Sequence, residues 1–153
     1  MHFVEQTRTA PPCGNCFQAC IASIFELPIE DVPDWNANGE GRWLDLYDVW
    51  LAERGLAMVC VDVHTDTFRE FSYHDKISVY WIAGVKSPRI SGSHAVVMEN
   101  HKMVWDPHPQ RDMGIRELID CTFFVPLDLP AVSRRACGRQ EGRGGFTLRE
   151  SSS

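Results

Sequence analysis

Residues 14–28 read Gly-Asn-Cys-Phe-Gln-Ala-Cys-Ile-Ala-Ser-Ile-Phe-Glu-Leu-Pro. Phe17, Cys20, Ile21, Ile24 and Phe25 recur at i, i+3, i+4, i+7 and i+8, the spacing that lines up one apolar stripe on an α-helix. Pro11, Pro12 and Gly14 break the chain upstream, and Asn15 is a residue type that caps helix starts. The stretch therefore predicts a helix with one buried face, beginning at about Asn15 and ending near 27–28. Ahead of it, residues 3–12 predict an extended segment.

Downstream, a Pro- and Asp-rich stretch separates this helix from a second. Trp43, Leu46, Tyr47, Trp50 and Leu51 again fall on one helical face, with Gly55 placed to end it. Beyond Gly55 the period changes. Residues 56–63, 77–85, 93–100, 102–105 and 121–127 are short β-prone runs separated by turn or polar residues. Helices first and a mostly antiparallel sheet afterwards predict an α+β fold. From about Leu129 the apolar content falls away, so residues 1–128 predict one catalytic-size domain and residues 129–153 a disordered tail rich in Arg, Gly and Ser.

At 153 residues, with 44% hydrophobic and 24% charged residues, the chain suits a single domain with a real core. Its net charge of -6 and pI near 5.4 argue against a nucleic-acid or anionic-membrane partner, either of which needs a basic face. Residues 1–12 lack the basic-then-apolar pattern of an export signal, and apolar runs elsewhere fall short of the ~20 residues that cross a bilayer. A cytoplasmic protein with no membrane partner is expected. Its six cysteines, 13, 16, 20, 60, 121 and 137, are then expected as reduced thiols.

Cys16 is the first candidate for chemistry. A thiolate in the first turn of a helix sees the positive end of the macrodipole and unpaired backbone N–H groups, and both lower its pKa. An isolated cysteine is more commonly a small buried hydrophobe, so the case rests on what else converges. His94 opens a run that reads as a buried strand, and Asp106 ends the next run. In a hairpin centred on Asn100, Met98 pairs with Lys102, Val96 with Val104 and His94 with Asp106. The carboxylate would then hold the ring's tautomer while the other nitrogen faces the thiol. A slip of one residue would place the two on opposite faces. Taken singly, His94 also fits a structural histidine, and Asp106 before Pro107 also fits the start of a turn.

Gly14-Asn15-Cys16-Phe17-Gln18-Ala19 resembles the segment around the nucleophile of papain-like cysteine peptidases. His94-Ala95-Val96-Val97 and Trp105-Asp106-Pro107 resemble the His and Asp-Pro segments of the bacterial double-glycine (bacteriocin-processing) peptidase branch, and the chain order Cys, His, Asp agrees. The likeness spans about residues 3–127 and rests on three short motifs. It implies a minimal papain-like fold, with an N-terminal helix carrying the nucleophile packed on an antiparallel sheet carrying His and Asp. It also implies acyl transfer on a peptide or amide substrate: Cys16 attacks, His94 protonates the leaving group, Asp106 orients His94, and water releases the acyl group. No metal or organic cofactor is implied. In the family an oxyanion-hole Gln stands about six residues before the nucleophile, where this chain has Ala10. Gln6 fills that role if the Pro11-Pro12-Gly14 loop bulges, and is otherwise a plain surface residue. Trp35, Trp43, Trp81 and Trp105 are either substrate-groove or core residues.

Three other readings share these residues. Cys13-Gly14-Asn15-Cys16 has the spacing of a thiol–disulfide oxidoreductase, although only twelve residues precede it, too few for a βαβ lead-in. Cys13, Cys16, Cys20 and a His fit a structural zinc module, weakened because Cys20 belongs to the apolar stripe. His101 and His108 are expected on solvated loops. A papain-like acyltransferase would use the same groups for its first half-reaction.

Overall fold

The computed structural model describes residues 1–10, 14–35, 43–65, 77–111 and 117–127. The expected tail and Cys13 lie outside the described residues. Two helices, α1 (Cys16–Phe25) and α2 (Trp43–Ala52), flank a short 3-10 turn at Ile29–Asp31. Strands β1 (Leu56–Thr65), β2 (Tyr80–Lys86), β3 (Ser93–Glu99), β4 (Lys102–Trp105) and β5 (Leu118–Pro126) follow. The fold is α+β, as expected, with one antiparallel sheet in the order β1-β5-β2-β3-β4. The last strand thus pairs between the first two.

The stripe on α1 faces the sheet. Cys20 and Ile21 are fully buried, and Phe17, Ile24 and Phe25 pack against the same cluster, which includes Tyr47 and Leu51 of α2 and Ile82, Ala95 and Val97 of the sheet. The helix ends at Phe25, earlier than expected, because Glu26 turns left-handed (φ 54°) and the N–H groups of Glu26 and Leu27 return to Ser23 and Ala22. Gly55 ends the turn after α2 at φ 69°, a conformation that favours glycine. On the other sheet face Trp81, Ala83, Val85, Val96 and Met98 form a second cluster. β2 and β3 are therefore buried on both faces, which explains their unbroken apolar runs. Among the described residues no helix is long and apolar enough to cross a membrane.

The β3–β4 hairpin differs from its expected register. Asn100 and His101 form a two-residue turn, with Asn100 at φ 53°, so Glu99 pairs with Lys102 and Met98 with Met103. That is a slip of one residue. A bulge then adds another, and Val97 pairs with Trp105. Two shifts restore the original parity, so His94 and Asp106 become diagonal rather than direct neighbours. Asn100 is fixed from outside the hairpin: its Oδ1 accepts the Val79 N–H at 2.9 Å, and its carbonyl accepts the Trp81 indole N–H at 2.7 Å.

Candidate active site

The N-terminal segment lies along α1 and the end of β4. Phe3 stacks on Trp105 with ring centroids 4.6 Å apart, and Trp105 Nε1 donates to the Val4 carbonyl at 3.0 Å. Val4 N–H donates to Ser23 Oγ at 2.9 Å, and Gln6 N–H to the Pro107 carbonyl at 2.9 Å. The expected helix cap takes a different part here. Asn15 occupies the N-cap position, but its side chain makes no capping bond. Its Oδ1 instead accepts the N–H groups of Thr7 (3.0 Å) and Arg8 (2.9 Å), while Nδ2 donates to Thr7 Oγ1 and Gln18 Oε1, both at 3.0 Å. Asn15 N–H also reaches the Arg8 carbonyl at 3.1 Å. Gln18 in turn donates to the carbonyls of Ile29 (3.0 Å) and Val32 (2.7 Å). These bonds clamp residues 6–8 beside the start of α1, although ten positions separate Gln6 from Cys16.

Cys16, the first residue of α1, lines the same cavity as His94, and it is His94 with the backbone N–H groups of Ala95 and Phe17 that acts on its sulfur. His94 Nε2 lies 2.9 Å from Asp106 Oδ1, which leaves Nδ1 for the sulfur. Burial pushes the Cys16 thiol up, but the hydrogen bond and charge of His94, with the two N–H groups, outweigh it and hold the thiol below its ordinary range. Burial likewise pulls His94 down, yet hydrogen bonds to Asp106 and Cys16, with their charges, raise it to about 9. The two shifts have one meaning. Both favour the thiolate paired with imidazolium, with the Asp106 carboxylate behind the ring. Asp106 Oδ1 accepts a second bond at 2.9 Å from the N–H of His108. Cys20, one turn along α1, is fully buried and its thiol is driven well up, by burial first and then by the charges of Cys16 and Asp106.

Gln6 is buried, at 6% exposure. Its Nε2 donates one proton to the Arg8 carbonyl at 2.8 Å, and its Oε1 has no hydrogen-bond partner. Gln6, Cys16 and His94 line one cavity of about 630 Å³. Of the tryptophans, Trp35 lines this cavity, Trp81 is fully buried in the second cluster, and Trp105 holds the N-terminal segment. The side chain of Trp43 lies outside the described residues.

Sequence reasoning passed over several lining residues. His108, expected on a solvated loop, borders the cavity with its ring centroid 6.2 Å from that of His94. The signal was the shared parity of 94, 106 and 108. Asp62, Gly84 and Asp120 also line it, and Asp120 was missed because β5 starts at Leu118 rather than 121. Among the described residues no group of three or more His, Cys, Asp or Glu is placed to hold a metal. The cysteines at 16, 20, 60 and 121 are unbridged. Compared with family models, with curated proteins and with solved structures, the chain finds no match in any of the three.

Proposed function

We propose that the protein is a cysteine-dependent hydrolase, a peptidase or amidase of papain-like type, acting through Cys16, His94, Asp106 and Gln6. The observation that carries this reading is a helix-initial sulfur that shares one cavity with an imidazole whose Nε2 sits 2.9 Å from a buried carboxylate. The Cys16 thiolate attacks a substrate carbonyl carbon, and the carbonyl π pair moves onto oxygen. The remaining Gln6 Nε2 proton and the Cys16 backbone N–H are the donors for that oxyanion. Collapse breaks the bond to the leaving nitrogen, which takes the proton from His94 and departs as an amine. An S-acyl Cys16 and a neutral His94 remain. Water then attacks the thioester, His94 accepts one of its protons, and the carboxylic acid leaves, ionising in solvent, with the thiolate restored. A reducing, cytoplasmic setting fits the four unbridged cysteines.

The test is alkylation with limiting iodoacetamide at mildly acidic pH, followed by mass mapping. Modification of Cys16 ahead of the other five cysteines, abolished in His94→Ala, is the expected result. Preferential modification of Cys13, or recovery of a Cys13–Cys16 disulfide, overturns it in favour of the oxidoreductase. Stoichiometric zinc in the purified protein overturns it in favour of the structural module.

A further inference from the structure

The cavity beside Cys16 carries two carboxylates that the reaction above does not use. Asp62 on β1 and Asp120 on β5 are direct cross-strand partners, and both line the cavity. Like charges facing each other across a ladder destabilise a sheet. Neither carboxylate forms an ion pair with a described residue. Burial first, then the charge of Asp62, push the Asp120 carboxyl up, and the Gly84 N–H only partly offsets this.

The neighbouring strand is shaped around the pair. Gly84 faces Asp120 across the β2–β5 ladder, and a Cβ built on Gly84 would overlap the Asp120 carboxylate. Any other residue would displace that carboxylate from the cavity. Gln6 and Cys16 line the same cavity, so the two carboxylates border the space next to the sulfur. Among the described residues no third ligand joins the two carboxylates to make a metal site, which leaves an organic cation as the fitting guest.

We propose that Asp62 and Asp120 form the specificity subsite of this cavity and bind a cationic group of the substrate, a lysine or arginine side chain or a primary amine, beside the carbonyl that Cys16 attacks. The proposal rests on the hydrolase reading and adds the substrate class to it. Binding places a positive charge between two carboxylates in a half-buried site, where charge-assisted hydrogen bonds keep much of their strength. The guest relieves the Asp62–Asp120 repulsion as it binds.

The experiment compares inactivation of the full chain by acyl-lysine, acyl-norleucine and acyl-glutamate vinyl sulfones. Each rate is normalised to iodoacetamide labelling of Cys16, because iodoacetamide carries no group to reach the carboxylates. The expected order is lysine over norleucine by about tenfold, with glutamate slowest. In Asp120→Asn, which keeps an acceptor for the Gly84 N–H, and in Asp62→Asn, on the exposed part of β1, the lysine preference falls towards unity. Glu53→Gln, the same change of charge on the turn after α2, keeps the full preference. A lysine-to-norleucine ratio of one in the unaltered protein, or a ratio that both asparagine variants retain, overturns the subsite alone, since Cys16 still labels. Failure of iodoacetamide to single out Cys16 removes the hydrolase reading and the subsite with it.

Discussion

Asp106 Oδ1 receives two hydrogen bonds of 2.9 Å, from the His94 ring and from the backbone N–H of His108, so one buried oxygen fixes both the imidazole and the turn that follows β4. Asp106→Asn keeps the shape but offers His94 either the wrong tautomer or a neutral partner. Turnover of p-nitrophenyl acetate should fall by about 10²–10⁴-fold, with little change in thermal midpoint. An Asp106→Asn protein as fast as the parent would take the carboxylate out of the mechanism.

The pH dependence follows from the two opposite shifts. His94 is raised to about 9, so it holds the leaving group's proton below that pH and loses it above. Cys16 is lowered, so its thiolate persists below the ordinary thiol range. Turnover should therefore decline as pH rises through about 9, whereas alkylation by iodoacetamide, which needs only thiolate, should not. In Asp106→Ala the loss of the carboxylate moves the alkaline fall to lower pH. Parallel pH profiles for alkylation and turnover would contradict the separate roles of the two groups.

Gln6 and Asn15 should fail together. Gln6→Ala removes the proposed oxyanion donor and should slow acylation about 10²-fold with binding little changed. Asn15→Ala takes away the acceptor for the Thr7 and Arg8 N–H groups, costs on the order of 1–3 kcal/mol in stability, and releases the segment carrying Gln6. Asn15→Asp keeps that acceptor and should recover part of the rate. Single-turnover kinetics on the three variants, with urea unfolding, separate the two effects; a fully active Gln6→Ala removes Gln6 from the site.

Gly84→Ala sets a methyl group against the Asp120 carboxylate, and overpacking of this kind costs about 1–3 kcal/mol. Asp120→Ala in the same chain opens the space again. The double variant should therefore unfold in urea later than Gly84→Ala alone. Additive losses would show that Gly84 is needed for another reason.

Much of the scaffold was legible in the residues themselves. The stripes at 17, 20, 21, 24 and 25 and at 43, 46, 47, 50 and 51 marked both helices, and the apolar runs marked all five strands, because these patterns record burial directly. What failed was whatever depends on geometry between elements. The β3–β4 register turned on whether the turn holds one residue or two, and on a bulge that local preference does not announce. β5 begins before 121 because pairing with β1 and β2 carries Asp120 into the ladder against its weak strand preference. Asn15 has the composition of a cap, yet the Thr7 and Arg8 N–H groups compete for its oxygen, and no periodicity reveals that competition. His108 was expected on a solvated loop, although its relation to 94 and 106 was the informative one.

The clamp between Asn15 and residues 7–8 makes one unit of the chain from Gln6 to Cys16, and the β3–β4 hairpin makes another from His94 to Asp106. During synthesis the first unit emerges long before the second. Until Asp106 has left the ribosome and the hairpin has docked on α1, the sulfur lacks His94 and the Ala95 N–H, and only its own helix start acts to lower it. On the hydrolase reading, alkylation of Cys16 ahead of the other thiols therefore also reports that the hairpin has docked.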